Sequence, residues 1–130
     1  MTKEPKYWKK AKKYLSKKDK VISNLIRSYS SPSEITLTSR KDIFFSLCKS
    51  IIGQQISVAA ANSVFLKFKK KCKNKISPKV VFKLSKVQLR KCGMSRQKIS
   101  GIKNLAKQIL DKSFNPKLIK KMSDEEAITY

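Results

Sequence analysis

Apolar side chains recur at three- and four-residue intervals along almost the whole chain, the spacing that gathers them on one side of a helix. Tyr7, Trp8, Ala11, Tyr14 and Leu15 make one such face, and Val21, Ile22, Leu25 and Ile26 a second, opened by Ser16 with Asp19. Ser28 to Ser39, with Pro32, reads as a loop; Ile35, Thr36 and Leu37 could be a short extended piece, but nothing obvious pairs with it. Ser39 and Asp42 then signal a helix start, leading into a face of Ile43, Phe44, Leu47 and Ile51 that Gly53 ends or kinks. Ser57 can cap the next helix, faced by Val58, Ala61, Val64, Phe65 and Phe68. Ser77-Pro78 places proline at a first helical position. Ser85 caps a helix with Val87 and Leu89, and Gly93 suits its left-handed C-terminal position. Ser95 opens a longer helix with Ile99, Ile102, Ala106, Ile109 and Leu110 inward. Gly101 inside it costs about 1 kcal/mol against alanine, and either permits close packing or is neutral. Asn115-Pro116 starts another short helix. Ser123 with Glu126 forms a capping box, and Asp124, Glu125 and Glu126 sit where the helix dipole favours acid. The pattern predicts an all-α protein, with N-terminal helices and a loop over 1–40 packing on a main helical lobe over 41–130.

Composition sharpens this picture. Hydrophobic residues make up 40% of the 130, enough for a core, and three glycines and four prolines leave little room for long loops. No run of about 18 apolar residues occurs, so no membrane-spanning helix is expected. Met1 to Lys20 lacks the continuous apolar stretch of a secretory signal, so export is not expected. Three cysteines, Cys48, Cys72 and Cys92, lie far apart with no CxxC spacing, and histidine is absent. Neither a zinc site nor a disulfide framework is expected, and chemistry that needs an imidazole base is excluded within this chain.

Charge is the dominant anomaly. With 32 basic and 8 acidic residues the net charge is +24. Such a density repels itself unless a polyanion neutralises it, and nucleic acid, whose condensed counterions are released on binding, is the obvious partner. Compositional drift also contributes: lysine far outnumbers arginine, and asparagine and isoleucine are common, as in proteins from A/T-rich genomes. The basic run from Lys67 to Lys79 reads as a solvated helix end and loop.

One segment carries candidate chemistry. Ile51-Ile52-Gly53-Gln54-Gln55-Ile56-Ser57-Val58-Ala59-Ala60-Ala61 joins two helices through a tight connection with two glutamines at its apex. They are neutral, donate and accept hydrogen bonds, and are flanked by apolar residues that must be buried. Such a loop can insert a side chain into a base stack; equally, the glutamines could be ordinary turn residues.

This segment resembles the glutamine-bearing loop of the DNA-3-methyladenine glycosylase II family, within the helix-hairpin-helix DNA glycosylase superfamily. Its pattern there is apolar-apolar-Gly-Gln-(Gln or Leu)-apolar-Ser followed by small residues, and every position fits. Leu89-Arg90-Lys91-Cys92-Gly93-Met94-Ser95-Arg96-Gln97-Lys98 resembles a second family turn, and Met122 to Ile128 resembles the capped helix that precedes the family's hairpin. The resemblance runs from about Tyr7 to Tyr130.

It implies a helical lobe of that fold, ending before the hairpin, and a function in base-excision repair: hydrolysis of the N-glycosidic bond of alkylated purines after base flipping. Gln54 would line the base pocket and Gln55 would be the wedge that fills the vacated space. Ser57, Arg96 and Lys98 are candidates for DNA-backbone contact, although Ser57 suits a helix cap better. Neither a metal nor an organic cofactor is implied. The partner would be double-stranded DNA containing alkylated bases, met by a monomer in the bacterial nucleoid or a nucleus. The family's catalytic Asp has no counterpart among Asp19, Asp42, Asp111 and Asp124, each better read as a cap or surface charge. The expectation is therefore a chain that ends ahead of its catalytic half, inactive alone, with apolar surface exposed at Trp8, Ile128 or Tyr130. Two other readings stand: a glycosylase of the same superfamily for another lesion, and a non-catalytic basic or architectural DNA-binding protein.

Overall fold

A computed structural model describes residues 5–29 and 42–130, and among them the only regular secondary structure is helical. The chain divides into two compact units, Met1–Lys41 and Asp42–Tyr130.

The first unit contains α1 (Trp8–Lys18) packed on α2 (Lys20–Ser28). Asp19 alone makes the junction. Its backbone turns extended and its carboxylate accepts from the N–H groups of Val21 and Ile22, at 2.8 and 3.0 Å. Trp8, Ala11, Leu15, Ile22, Leu25 and Ile26 line one apolar groove between these helices. Tyr7 and Tyr14 do not join it; both are about 60% exposed. Trp8 departs from the expectation of exposed apolar surface: it is half-buried, and its indole Nε1 is enclosed with no hydrogen-bond partner among the described residues. Ser39 and the segment Ile35 to Leu37 fall outside the described residues.

The second unit runs α3 (Ile43–Gly53), α4 (Val58–Lys71), α5 (Pro78–Lys83), α6 (Lys86–Lys91), α7 (Arg96–Leu110), α8 (Pro116–Ile119) and α9 (Asp124–Thr129). Short polar side chains begin each one. Asp42, Ser57, Ser77, Ser85, Ser95, Asn115 and Ser123 all accept a first-turn N–H, and Ser85 with Gln88 and Ser123 with Glu126 close reciprocal boxes. Seven caps at about 1 kcal/mol each are why helices of four to six residues persist here.

α7 is the central strut, packing against α5, α3 and α6. Ile99, Ile102 and Ala106 turn into a core with Phe44, Cys48, Ile52, Phe65, Phe68, Cys72, Val81, Leu89, Cys92 and Met94. Gly93 is needed where it stands. Its φ is +99°, and a Cβ there would come 3.1 Å from Val64 Cγ2. Gly101 has no such role, because a Cβ would meet nothing within 4 Å. Three expected core positions, Val58, Val87 and Leu110, are instead exposed. Val58 and Val87 sit in the first turns of their helices and Leu110 in the last turn of its own, where the chain enters or leaves the packed layer.

The C-terminal helix is held by Tyr130, whose ring lies 5.5 Å from Phe114 and whose hydroxyl accepts from the Asn115 N–H at 3.0 Å. Ile128 is 84% exposed and Tyr130 49%, as expected of these two.

The three thiols are free and buried together in this core. Burial pushes Cys48 up to about 12 and Cys72 up to about 11, and raises Cys92 as well. A raised thiol pKa favours the protonated folded state. Its contribution is complete below the unfolded value of about 8.5 and is lost as pH climbs through the folded one. Thermal stability should therefore fall from about pH 8.5 toward pH 11, by at most about 1.4 kcal/mol per pH unit per thiol. The thiol part is read as a difference between the unaltered chain and a thiol variant. Cys48→Ala should show a shallower alkaline slope in melting curves; an unchanged slope would show that Cys48 does not contribute.

Candidate nucleic-acid interface

α3 ends at Gly53 in ordinary helical packing, with Ala61 Cβ 3.8 Å from where its own Cβ would be. The unusual backbone comes two residues later. Gln54 leaves the helix extended (φ −62°, ψ 131°), and Gln55 takes φ +59°, left-handed, with its side chain exposed. An L residue other than glycine pays about 1–2 kcal/mol for that region, and such residues gather at functional sites. Ser57 then returns the chain to helix, its hydroxyl accepting from Ala60 N–H at 3.1 Å. The two glutamines thus stand at the tip of a four-residue connection clamped by packed helices on both sides.

The loop faces α7 across a groove of about 640 Å³. Ile51, Gln54, Gln55 and Ile56 form one wall; Ser95, Gln97, Lys98 and Gly101 form the other. The structure thereby brings Gln54, Gln55 and Lys98 together. Ser57 lies just beside them as a cap. Arg96 lines a different groove of about 650 Å³ with Lys86, Arg90 and Lys91 over Val87 and Ile99. The sequence reading did not single out Gln97 or Gly101 as groove residues. A signal was present: four residues apart on α7, they share a face, and Gly101 costs the helix about 1 kcal/mol against alanine.

Lys98 is half-buried, and its ammonium donates to Ile52 O at 2.8 Å, across 46 residues of sequence. The last carbonyls of a helix lack intrahelical donors, and a charged hydrogen bond to one is worth about 1.5–3 kcal/mol. Lys103, five residues on, does the same for another helix, donating to Phe82 O and Leu84 O at the end of α5. Arg90 Nη1 donates to Met94 O at 3.3 Å and braces the α6–α7 turn.

The carboxylates of the described residues stand elsewhere. Asp19 and Asp42 cap α2 and α3, Asp111 accepts from the Ser113 hydroxyl and N–H, and Asp124, Glu125 and Glu126 open α9. Hydrogen bonds from Ser113 hold Asp111 below its ordinary range. Among the described residues no cluster of His, Cys, Asp or Glu could hold a metal, and no helix is long and apolar enough to cross a membrane.

The chain is 32% identical over 130 residues to the alkylbase DNA glycosidase-like protein mag2 of Schizosaccharomyces pombe, matching 97% of this chain and 60% of that protein. The fold matches a crystal structure of DNA-3-methyladenine glycosidase from Bacillus halodurans with a TM-score of 0.63 and 22% identity, over 68% of this chain and 42% of that one. The chain thus spans about 60% of the length of its curated relative. Residues 48–128, which contain the glutamine loop, α4 to α8 and most of α9, match the profile described as HhH-GPD superfamily base excision DNA repair protein, and the chain belongs to that superfamily.

Proposed function

We propose that this chain is the glutamine-loop lobe of an alkylbase DNA glycosylase, which docks on duplex DNA and holds open the site of a flipped base. The observation that carries the reading is Gln55: an exposed, uncharged side chain on left-handed backbone, in a four-residue connection between two packed helices, beside an open groove. In this reading Gln55 fills the space that the base leaves. Gln54 lines the pocket, and Arg96 with the neighbouring cations holds the phosphates. Unstacking costs a few kcal/mol, which a wedge offsets by replacing the lost contacts. N3- or N7-alkylated purines suit such a site, because positive charge on the base already weakens the glycosidic bond. The remaining need is an anion to stabilise the oxocarbenium-like sugar and a positioned water, with neither metal nor organic cofactor.

None of the described carboxylates lies at the glutamine groove. Residues 1–130 alone should accordingly release no 3-methyladenine from alkylated DNA, and release would overturn this assignment of roles.

The test of the reading is duplex preference. The chain should bind a duplex containing an abasic analogue at least about tenfold more tightly than the intact duplex, since the unstacking cost is then already met. Gln55→Ala should remove most of that preference. Gln55→Gly should remove it too while raising stability by about 1 kcal/mol, through relief of the left-handed strain. Equal binding of both duplexes by the unaltered chain would favour the other reading that +24 charges allow, a basic architectural protein without catalysis.

A further inference from the structure

Lys98 is basic, lies beside the glutamine loop, and on those grounds resembles a phosphate contact. Its geometry says otherwise. The ammonium is drawn in beneath the loop, half-buried, donating to the carbonyl of Ile52, two residues before Gln54. α3 has no basic residue in its last turn and no left-handed glycine to close it; Gly53 is still helical, and the only local bond at the cap is a 3.4 Å contact from Gln54 N–H to Ile51 O. The end of α3 is therefore secured from outside, by a side chain of α7. The same lysine lines the groove opposite Gln55, so one residue links the helix carrying the wedge to the helix facing it. Lys103 shows that this is how α7 grips its neighbours, since it holds the end of α5 in the same way.

We infer that Lys98 is a positioning residue: its ammonium anchors the C-terminal end of α3 to α7 and so fixes the direction in which Gln54 and Gln55 point. This rests on the proposed role of the two glutamines for its consequence, but not for its geometry. An unanchored α3 end leaves Gln55 free to leave a backbone region that disfavours it, and misplacement by about 1 Å can cost up to about a hundredfold in a site of this kind.

The experiment combines amide relaxation of the isotope-labelled full chain with duplex binding for the unaltered protein, Lys98→Met and Lys98→Arg. Circular dichroism monitors folding. In the unaltered chain the amides of Gln54 to Ser57 should have order parameters near the rigid value of about 0.85, falling below about 0.6 in Lys98→Met while α4 and α7 stay rigid. Lys98→Arg, which keeps a charged donor, should recover most of the loop order and guards against a Lys98→Met variant that fails to fold. Preference for the abasic duplex should drop about ten- to a hundredfold in Lys98→Met, with the salt dependence of intact-duplex binding unchanged. A loop that stays rigid in Lys98→Met, with the salt slope reduced by about 0.9, would make Lys98 a phosphate contact and overturn the inference. If the unaltered chain shows no abasic preference, the role given to the glutamines fails, and loop order alone still decides whether Lys98 anchors α3.

Discussion

Between 50 and 200 mM salt, the affinity of this chain for intact duplex DNA is expected to fall by about a thousandfold or more. Net charge is +24, and the cations are not spread evenly over the site. Lys86, Arg90, Lys91 and Arg96 ring one groove. Lys67, Lys70 and Lys71 add a second basic surface toward the far end of α4. About six phosphate contacts would give a slope of log affinity on log salt near −5, hence the thousandfold loss. Fluorescence anisotropy titrations at four or five salt concentrations measure it directly. Arg96→Gln should lower the slope by about 0.9, and Lys98→Met should leave it unchanged. A slope shallower than about −2 would mean that the charge is mostly compositional and only one or two lysines meet phosphate.

The second large effect is on stability. Phe68→Ala is expected to cost about 3–5 kcal/mol. Phe68 is fully buried, its ring 6.3 Å from Phe65, which in turn stacks edge-on against Phe45 at 5.2 Å. Removing it opens a cavity where α4 enters the core, and close-packed surroundings relax only in part. Domains of ordinary stability hold about 5–15 kcal/mol in total, and this one also carries the self-repulsion of its surplus charge. Phe68→Ala should therefore leave a substantial unfolded fraction in the cold and a urea midpoint shifted far down at unchanged m-value. Phe68→Leu should cost less than half as much. A loss below about 1 kcal/mol for Phe68→Ala would mean that the core around α4 is loosely packed.

The two effects meet in one design problem. A chain with this charge can fold only if its apolar layer and helix caps outweigh repulsion, which is why small polar caps stand before every helix of the second unit. High salt screens the repulsion and should raise stability under the same conditions that release DNA. Melting and binding curves recorded together should move in opposite directions.

Much of this was legible from the residues alone. Helix starts were, because Ser57, Ser77, Ser85, Ser95, Asn115 and Ser123 act on N–H groups two or three positions away, an interaction local in sequence. The left-handed turn at Gly93 was legible for the same reason. So were the cap or surface roles of the four aspartates, and the glutamine loop by its resemblance to known repair proteins. What sequence reading missed was long-range. It had Gly53 end or kink its helix and could not show that the left-handed backbone falls on Gln55, because that depends on where α4 must begin to reach the core. It offered Lys98 for DNA-backbone contact and could not show that packing of α7 against α3 brings its ammonium to Ile52, 46 residues away. It left Gly101 undecided between close packing and neutrality, and the fold places it on the open wall of the groove. Sequence by itself determined which segments become helices, a charge that calls for a polyanion, and which loop to examine. Tertiary structure decided which side chains share the groove, since that follows from contacts between segments far apart in the chain, and local spacing carries no record of them.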